Sequence, residues 1–412
     1  MKKGIITPRA FAHFKAGHPW LRADEVVDRK LLPNRPSAIY FADRWWFYSP
    51  ESYLRLRRIG PDQAGWMKNP RLERFTNADH FGAYFGQWLS AHFEETLQRK
   101  IAALNFSKDE DLCLRWIFSE NDLVPGLIVD IFGADILVVQ LLTAPIESFW
   151  FVLRKIISNV FEAHFKRPPK IVELRTATVR KREGLEIIEP EAIEPRPLKW
   201  NGLNWLFTPA SSQKTGAYLD QRENHRRARE LAEKFACRNA WDICSYQGGF
   251  SLHLLAAGLK VTAVDQSAAA LDVLAKNVAL NPQIDRAHLT VEKADAFEWL
   301  TAQVAAKNQA DLIVLDPPSF VKSREGVASA IKGYTELNTL AFQCLARPGL
   351  LISCVCSHHI STAAYKEVLA RAAKATDRKF EVIDMKEAPP DHQPALGFNE
   401  GRYLQSWFLR VE

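Results

Sequence analysis

The stretch Trp241–Asp265, WDICSYQGGFSLHLLAAGLKVTAVD, decides the fold of this chain. Its start, residues 241–244, is apolar and rich in β-formers, which predicts a strand that leads into the glycine pair at Gly248. A short apolar helix is expected after the pair, and a second strand over residues 259–264 leads to Asp265. Strand, glycine turn, helix, strand and acid form the first unit of a doubly wound sheet that binds a nucleotide. The sequence therefore predicts an α/β fold with a ligand at this turn.

The ligand at this turn is expected to carry a ribose but no phosphate. Glycine lets the backbone approach a ligand closely, and the carboxylate of Asp265 can accept hydrogen bonds from two ribose hydroxyls. A dinucleotide is excluded because Phe250 and Ser251 follow the glycine pair, so that the third glycine of G-x-G-x-x-G is missing. S-adenosylmethionine is the commonest cofactor with these features. A glycine turn with a purely structural role is an alternative of roughly equal weight.

The C-terminal sequence predicts further strands of the same sheet. Apolar runs at residues 288–292, 312–315, 350–355, 381–385 and 403–410 complete a Rossmann-like sheet of seven strands, six parallel and one reversed near the C-terminus. In open α/β sheets ligands bind at the carboxyl ends of the strands. The residues that fall at such ends are Gly248, Asp265, Asp295, Asp316 and Cys356. Their coincidence strengthens the prediction of a ligand site.

Length predicts two or three domains, since the chain has 412 residues. We expect a β-rich domain over residues 1–75, a small α+β linking domain over 76–195 and the α/β sheet domain over 196–412. Asn201-Gly202, near the start of the third domain, is the strongest short hairpin signal.

The first two domains contain a hairpin and two basic stretches. Residues 38–41 and 45–48 flank a predicted hairpin turn. Residues 53–59, YLRLRRI, alternate apolar with basic side chains, which predicts a strand with one charged face. Cations beside aromatic rings are typical of an RNA-binding platform, and a solvated edge strand is an equally weighted alternative. Residues 179–185 form a basic turn, either a phosphate contact or a solvated face, with the solvated face favoured.

Composition limits the partners and the compartment. The net charge of +6 and the 12 tryptophans permit an acidic partner such as nucleic acid without requiring one. The six cysteines include no C-x₂-C pair, which favours a reducing cytoplasm over a disulfide framework. No apolar run approaches the roughly 18–20 residues that span a membrane, and the basic N-terminus lacks an apolar signal core. We therefore expect a cytoplasmic protein without membrane contact.

Asp316-Pro317-Pro318-Ser319-Phe320 follows an apolar strand and is a specific signal. Proline removes backbone donors and fixes φ, so Pro317 and Pro318 predict a rigid corner beyond the sheet. Asp316 is then held where it can hydrogen-bond the edge of a base. Phe320 is placed to stack on a base that has been taken out of its helix. A plain turn built on the two prolines is the alternative.

Cys354 and Cys356 lie two residues apart on one predicted strand, so their side chains face the same way. Cys354 is expected to be a buried small apolar residue. Cys356 ends the strand beside His358, where a thiolate can attack C6 of a pyrimidine and make C5 nucleophilic enough to take a methyl group. Asp316, on the neighbouring strand, is expected to bind N3 and the amino group of a cytosine. Two structural cysteines are the alternative.

With these residues assembled, the sequence resembles the bacterial 23S ribosomal RNA cytosine-5 methyltransferases that carry an N-terminal PUA domain. The resemblance spans most of the chain. Its most specific parts are ENDLVPGLIVD at residues 120–130 and KTGAYLDQR at residues 214–222. The other matching segments are GHPW at 17–20 and residues 179–185, 245–250, 316–320 and 356–358.

The resemblance implies a PUA-like first domain and S-adenosylmethionine as the cofactor. It places the ribose on Asp265 and the adenine on Asp295, and it makes Cys356 the nucleophile with Asp316 as its catalytic partner. Further cofactor contacts are implied for Lys214, Tyr218, Arg222, Ser245, Tyr246, Gly248, Gln266, Ala296 and Asp316. Contacts with the base are implied for Pro317, Pro318, Phe320 and His358.

The implied substrate is 23S ribosomal RNA of the large subunit, and two other functions stay open. A sister group with the same catalytic domain methylates guanine nitrogens and needs no cysteine. A non-catalytic RNA-binding module would bind RNA, and it would bind S-adenosylmethionine no better than about millimolar. The resemblance implies no metal and is compatible with a homodimer.

Overall fold

The computed structural model describes residues 7–15, 18–26, 32–41, 44–60, 74–104, 106–191, 193–208, 215–321, 324–395 and 398–412. The chain divides into two compact units. Unit 1 comprises Met1–Pro195, Phe207–Ala217 and Pro390–Gly401, and unit 2 comprises Arg196–Leu206, Tyr218–Pro389 and Arg402–Glu412. The division into three domains stays a prediction.

Unit 1 contains a short helix, α1 (Pro8–Lys15), and an antiparallel sheet of five strands. The strands are β1 (Trp20–Leu21), β2 (Ser37–Phe41), β3 (Arg44–Tyr48), β4 (Leu56–Ile59) and β5 (Arg74–Phe75), in the order β1-β4-β3-β2-β5. The expected hairpin is confirmed by the antiparallel pairing of β2 with β3. Its turn residues, Ala42 and Asp43, lie outside the described residues.

The basic strand β4 is shorter than the predicted residues 53–59 and is not an edge strand, because it lies between β1 and β3. Arg57 is buried, with its Nη2 only 2.6 Å from Oε1 of Glu183. Ser49 and Ser52 accept further hydrogen bonds from the same guanidinium. Both interpretations of this stretch are therefore wrong for Arg57, which is a cation enclosed within unit 1.

The second half of unit 1 packs two long helices against a sheet of four strands. The elements are α2 (Ala78–Ala103), β6 (Cys113–Phe118), β7 (Leu127–Phe132), β8 (Ile136–Leu141), α3 (Ala144–Phe165) and β9 (Lys170–Leu174), with strand order β6-β7-β8-β9. Phe81 of α2 stacks on Phe149 of α3 with ring centroids 4.2 Å apart. These rings belong to one core that also includes Trp45 and Phe47 of the first sheet.

The stretch at residues 120–130 has a structural role in unit 1. Asp122 is buried and accepts hydrogen bonds from the backbone nitrogen of Phe118 at 2.7 Å and from Nζ of Lys100 at 2.5 Å. Burial lowers the pKa of Lys100, and Asp122 opposes that shift. Gly126 has φ +87°, and a Cβ there would lie 2.2 Å from Oγ1 of Thr143. Only glycine fits this turn.

The basic turn at residues 179–185 divides into exposed and buried cations. Lys181 and Arg182 are exposed, as the favoured interpretation expects. Arg180 is instead buried and donates to a carboxylate oxygen of Glu147 at 2.9 Å and to the backbone oxygen of Leu141. The solvated-face prediction is therefore wrong for Arg180.

Unit 2 opens with the predicted hairpin. Strands β10 (Arg196–Trp200) and β11 (Leu203–Phe207) are joined through Asn201 and Gly202, whose φ angles are +50° and +73°. Positive φ at both residues is what makes Asn-Gly favourable in this turn. Helix α4 (Arg222–Lys234) then leads into the main sheet.

The main sheet of unit 2 has seven strands in the order β14-β13-β12-β15-β16-β18-β17. Its strands are β12 (Asn239–Ile243), β13 (Lys260–Asp265), β14 (Leu289–Lys293), β15 (Ala310–Leu315), β16 (Leu345–Cys356), β17 (Phe380–Lys386) and β18 (Leu404–Val411). Its helices are α5 (Gly249–Ala256), α6 (Ala268–Ala279), α7 (Ala296–Ala306), α8 (Val327–Cys344) and α9 (Thr362–Ala375). In this sheet β18 runs in the direction opposite to the other six strands, which are parallel to one another. The prediction of six parallel strands and one reversed strand is confirmed.

Helices in the described part of the chain are all too short or too polar to cross a membrane. Within the same residues, histidine, cysteine and acidic side chains form no group of three or more that could hold a metal ion.

Candidate active site

The glycine turn between β12 and α5 has little room for side chains. Gly248 has φ +84°, and a Cβ at this position would lie 2.0 Å from Cδ1 of Leu274. Gly249 is equally confined, because its Cβ would meet the ring of His225 at 2.3 Å. Packing therefore requires glycine at both positions, and backbone conformation requires it at Gly248.

Asp242 anchors the first turn of α5 from within β12. It is buried, and its Oδ2 accepts hydrogen bonds from the backbone nitrogen and the hydroxyl of Ser251 at 2.9 and 2.6 Å. Burial raises the pKa of Asp242 to about 6, while the hydrogen bonds from Ser251 act in the opposite direction. This carboxyl group ties together the strand and the helix on either side of the glycine turn.

Asp265 ends β13, as predicted, and faces the same turn. Its Oδ2 accepts a hydrogen bond from the backbone nitrogen of Tyr246 at 2.8 Å, and its Oδ1 accepts one from the backbone nitrogen of Ser267 at 2.8 Å. Each carboxylate oxygen has a second lone pair for a further donor. The carboxylate is half-buried and rigidly held, so it suits the two hydroxyls of a ribose.

Ser245 gives the glycine turn an unused hydrogen-bonding group. Its side chain is buried, and its hydroxyl has no hydrogen-bond partner among the described residues. Buried polar groups almost always find a partner. The unpaired hydroxyl, the close-packed glycines and the held carboxylate of Asp265 together fit a small polar cofactor such as S-adenosylmethionine.

Asp295 lies after β14 and caps helix α7, a role that the sequence did not predict. Its Oδ1 accepts from the backbone nitrogens of Phe297 and Glu298 at 2.9 and 3.2 Å, which satisfies two of the free donors at the helix start. Its Oδ2 accepts from Nε2 of Gln266 at 2.6 Å. Gln266 and Asp295 thus lie together, and Ala296 begins the helix. Their contact with an adenine stays a prediction.

Tyr218 reaches the same turn from the segment before α4. Its ring makes an edge contact with the ring of Tyr246, with centroids 5.0 Å apart. Burial raises the pKa of Tyr218 well above its usual value, with Tyr246, Asp220, Asp316 and Cys356 adding to the shift. Arg222 is buried in the first turn of α4. Lys214 lies outside the described residues.

Asp316 follows β15 and accepts hydrogen bonds from the side-chain amide of Gln221. Nε2 of Gln221 donates to both carboxylate oxygens of Asp316, each at 3.0 Å. Pro317 is buried and Pro318 is exposed, so the segment after Asp316 reaches the surface at Pro318.

Phe320 is half-buried and stacks on Tyr334, with ring centroids 4.5 Å apart and an angle of 28° between the rings. The Tyr334 hydroxyl accepts a hydrogen bond from the backbone nitrogen of Phe320 at 3.3 Å. Burial raises the pKa of Tyr334 to about 12, and Cys356 and Asp316 contribute to the shift. Tyr334 therefore lies near both predicted catalytic residues.

The two thiols of β16 lie in different environments. Cys354 is buried, and burial raises its pKa well above the usual range, with Asp316 adding to the shift. Cys356 is the last residue of the strand and is half-buried. His358, predicted to contact the base, is exposed just beyond it. Cys356 is thus the more accessible thiol, as predicted.

The order of strands brings these groups to one edge of the sheet. Strands β13, β12, β15 and β16 are parallel neighbours, and each of the four places one site feature at its carboxyl end. These features are Asp265, the glycine turn, Asp316 and Cys356. Leu315 pairs with Ser353, which places Asp316 level with Cys354, two residues before the end of β16. Such an edge is where open α/β sheets bind their ligands.

Comparison with known proteins decides the family. The model of the S-adenosylmethionine-dependent methyltransferase family matches residues 131–402. This chain belongs to that family. The expectations of an enzyme and of S-adenosylmethionine as its cofactor are thereby confirmed.

Relatives of this methyltransferase match it over nearly their whole length. A protein of Deinococcus radiodurans named "Ribosomal RNA large subunit methyltransferase" is 31% identical over 99% of this chain and 97% of its own. One of Erwinia tasmaniensis named "Ribosomal RNA large subunit methyltransferase I" is 33% identical over 96% of this chain and 95% of its own.

Solved structures share the fold of this methyltransferase. A protein from Streptococcus mutans described as S-adenosylmethionine-dependent methyltransferase has a TM-score of 0.74 with 18% identity, over 100% of both chains. A methyltransferase structure complexed with SAH has a TM-score of 0.72 with 18% identity, again over 100% of both chains. At this identity the likeness shows the fold alone.

Sequence reasoning missed several residues around Asp316. Gln221 and Asn224 are three apart, a spacing that places side chains on one side of a helical turn and was an available signal. Ser406 carried no signal, because it is one small polar residue in an apolar strand. Tyr334 sits in the middle of α8, where it looks like any core residue.

Proposed function

We propose that this methyltransferase methylates C5 of a cytosine in the ribosomal RNA of the large subunit. The observation that carries the proposal is that Cys356 and Asp316 lie at the carboxyl ends of two neighbouring parallel strands, β16 and β15. The relatives from D. radiodurans and E. tasmaniensis, which match across almost the entire chain, are named for large-subunit ribosomal RNA.

Cys356 supplies the nucleophile that cytosine needs, because C5 of a free cytosine reacts too weakly with a methyl group. A bond forms between the sulfur and C6, and the thiol proton passes to N3 by way of Asp316. The C5–C6 double bond is thereby converted into a nucleophilic centre at C5. S-adenosylmethionine, when bound, would supply the methyl group to C5 and would be left as S-adenosylhomocysteine. Loss of the C5 proton to solvent then expels the thiolate, the N3 proton is returned, and the ring is restored.

Asp316 binds N3 and the exocyclic amino group in this scheme. A carboxyl group that is held at both oxygens presents its remaining lone pairs in a fixed direction, which suits recognition of one base edge. Phe320, half-buried against Tyr334, offers the face on which a base taken out of its helix can stack.

The N-terminal part of the chain is proposed to bind RNA as a PUA-like domain over residues 1–75, joined by a linking domain to the catalytic domain over residues 196–412. A cytoplasmic location goes with a ribosomal RNA substrate. Arg57 takes no part in RNA binding, because it is enclosed with Glu183.

The first prediction tests whether the thiol of Cys356 is the nucleophile. Ribosomal RNA from a strain that lacks the enzyme is incubated with tritiated S-adenosylmethionine, and the labelled nucleoside is identified by mass spectrometry. The wild type is expected to yield 5-methylcytidine, and Cys356→Ala is expected to yield none, because the ring is then not activated.

Cys237→Ala is the matched control, since it removes a half-buried thiol from the same unit. It should keep full activity. RNA that contains 5-fluorocytidine should form a covalent complex with the wild type and the control but not with Cys356→Ala. Label in a guanosine, or an active Cys356→Ala, would contradict the cytosine mechanism.

A further inference from the structure

Five buried or half-buried side chains of unit 2 form a continuous hydrogen-bonded chain that ends on Asp316. Its members are Cys354 of β16, Ser406 of β18, Gln221 and Asn224 at the start of α4, and Asp316 after β15. All but Asp316 are 7% exposed or less. Hydrogen bonds among groups this well buried are costly to leave unmade.

The charge of Asp316 fixes the orientation of the Gln221 amide. Nε2 of Gln221 lies 3.0 Å from both carboxylate oxygens, and an amide oxygen in its place would repel them. Oε1 of Gln221 must therefore point away from Asp316. There it accepts from Nδ2 of Asn224 at 2.6 Å and from the hydroxyl of Ser406 at 3.3 Å.

The direction of the remaining bonds follows from this orientation. Ser406 has a single hydroxyl proton, which it donates to Gln221. The contact of 3.2 Å between the Ser406 oxygen and the sulfur of Cys354 then requires the thiol to donate. Nδ2 of Asn224 also donates to the Ser406 oxygen, at 2.9 Å. In this arrangement each donor of the chain meets an acceptor.

We propose that Gln221 is a positioning residue, which holds the carboxylate of Asp316 in the orientation that meets the base, and that Ser406 and Cys354 hold Gln221. The inference rests on the catalytic role proposed for Asp316. It also assigns a role to Cys354, the second thiol of the pair, as a hydrogen-bond donor that never attacks the base.

A double-mutant cycle tests whether Gln221 acts through Asp316. Gln221→Leu should lower kcat about tenfold or more, which is the effect of one lost hydrogen bond to a charged group. Asp316→Asn should lower kcat further. The variant that carries both substitutions should be as active as Asp316→Asn, within about twofold, because Gln221 then has no carboxylate to orient.

Gln405→Leu is the matched control. Gln405 is the neighbour of Ser406 on β18, is 7% exposed and donates to the backbone oxygen of Ile360 at 2.9 Å. Its side chain faces the opposite side of the sheet from that of Ser406. This variant loses a buried amide of the same kind, so it should cost stability. Its effect on kcat should multiply with that of Asp316→Asn.

The thiol is tested by conservative replacement. Cys354→Ser keeps a donor beside Ser406 and should retain kcat within about threefold, whereas Cys354→Val removes the donor and should lower kcat as Gln221→Leu does. Binding of S-adenosylhomocysteine, measured by calorimetry, should stay within about threefold of wild type in the variants of Gln221, Gln405 and Cys354 that keep Asp316. A merely structural defect would weaken that binding as well.

Several outcomes overturn the inference. Effects of Gln221→Leu and Asp316→Asn that multiply, or a Gln221→Leu variant as active as wild type, would show that Gln221 does not act through Asp316. Loss of S-adenosylhomocysteine binding in Gln221→Leu would make Gln221 a cofactor ligand instead. An inactive Cys354→Ser would make Cys354 the nucleophile. A wild-type enzyme that transfers no methyl group to RNA would refute the proposed function, not the positioning role alone.

Discussion

Gly248 shows how one residue combines two constraints at the turn between β12 and α5. Its φ of +84° lies in the left-handed region, and Leu274 leaves no space for a Cβ. Gly258, which follows α5, has nearly the same φ of +86° but has no atom within 4 Å of a Cβ position. The two glycines therefore share the conformational constraint and differ in the packing constraint.

This difference gives a prediction for a matched pair of variants. Gly258→Ala should lower the free energy of unfolding by about 1 kcal/mol, the cost of a side chain at positive φ. Gly248→Ala should cost more, because Leu274 or the turn must move, and it should also weaken binding of S-adenosylhomocysteine. Denaturant unfolding and calorimetry measure both effects. Equal losses of unfolding free energy in the two variants would contradict this prediction. They would mean that the side chain of Leu274 moves away from the new methyl group without loss of stability.

The residues that could be predicted from sequence are those whose role is set locally. Gly248, Asp265, Asp316 and Cys356 each follow an apolar strand, so periodicity alone places them at one edge of the sheet. The hydrogen bonds from Gln221 to Asp316 could not be predicted, because the two residues are 95 residues apart along the chain. They meet only through the packing of α4 against the sheet.

At the scale of the element, α5 is a helix without a solvent face. Every residue from Phe250 to Leu255 is buried, and so its polar members need partners inside the protein. Ser251 has Asp242. His253 has a hydrogen bond at neither ring nitrogen among the described residues, and its ring lies 6.0 Å from that of His225.

The two histidines make unit 2 sensitive to acid. Burial lowers the pKa of His225 to about 3 and that of His253 well below its usual value. Their neutral forms stabilise the fold fully above pH 6.5, and this stability is lost as the pH falls from about 6.5 towards 3. Asp242, whose pKa is raised to about 6, acts oppositely, since its contribution is lost as the pH rises from about 4 to 6.

We predict that His253→Leu stabilises the protein. Leucine fills the buried site without leaving two ring nitrogens unpaired, so the free energy of unfolding at pH 7 should rise by about 1 kcal/mol. Its dependence on pH below 6.5 should fall by up to about 1.4 kcal/mol per pH unit, the value for one proton. Denaturant unfolding between pH 4.5 and 8 measures both.

His288→Leu is the control for this prediction. His288 lies at the surface of the same unit, 3.8 Å from Asp285, and its replacement should leave the free energy of unfolding at pH 7 nearly unchanged. If the His253→Leu variant unfolds more easily than the wild type, the prediction is wrong. The ring of His253 would then have a hydrogen-bond partner outside the described residues.

At the scale of the whole molecule, the count of 54 lysines and arginines overstates the number of cations at the surface. Unit 1 encloses several ion pairs whose cations belong to that count: Arg57 with Glu183, Lys100 with Asp122, and Arg115 with Asp130. Sequence periodicity predicted strands and helices around these residues but not the burial of their charges, since the partners lie on different elements, 15, 22 and 126 residues apart. A basic stretch therefore predicts an RNA-binding face only where its cations are exposed.

Arg57 and Arg182 separate these two roles of basic residues in unit 1. Arg57→Met leaves the carboxylate of Glu183 buried without its partner, and the free energy of unfolding should fall by about 3–5 kcal/mol. Adding Glu183→Gln should restore part of this loss, because the buried charge is then gone while an oxygen is kept for the backbone nitrogen of Ala144. Arg182→Ala, at an exposed position, should change stability by less than about 0.5 kcal/mol. An Arg57→Met variant that is fully stable but binds ribosomal RNA more weakly would reverse the argument and make Arg57 part of the RNA-binding surface.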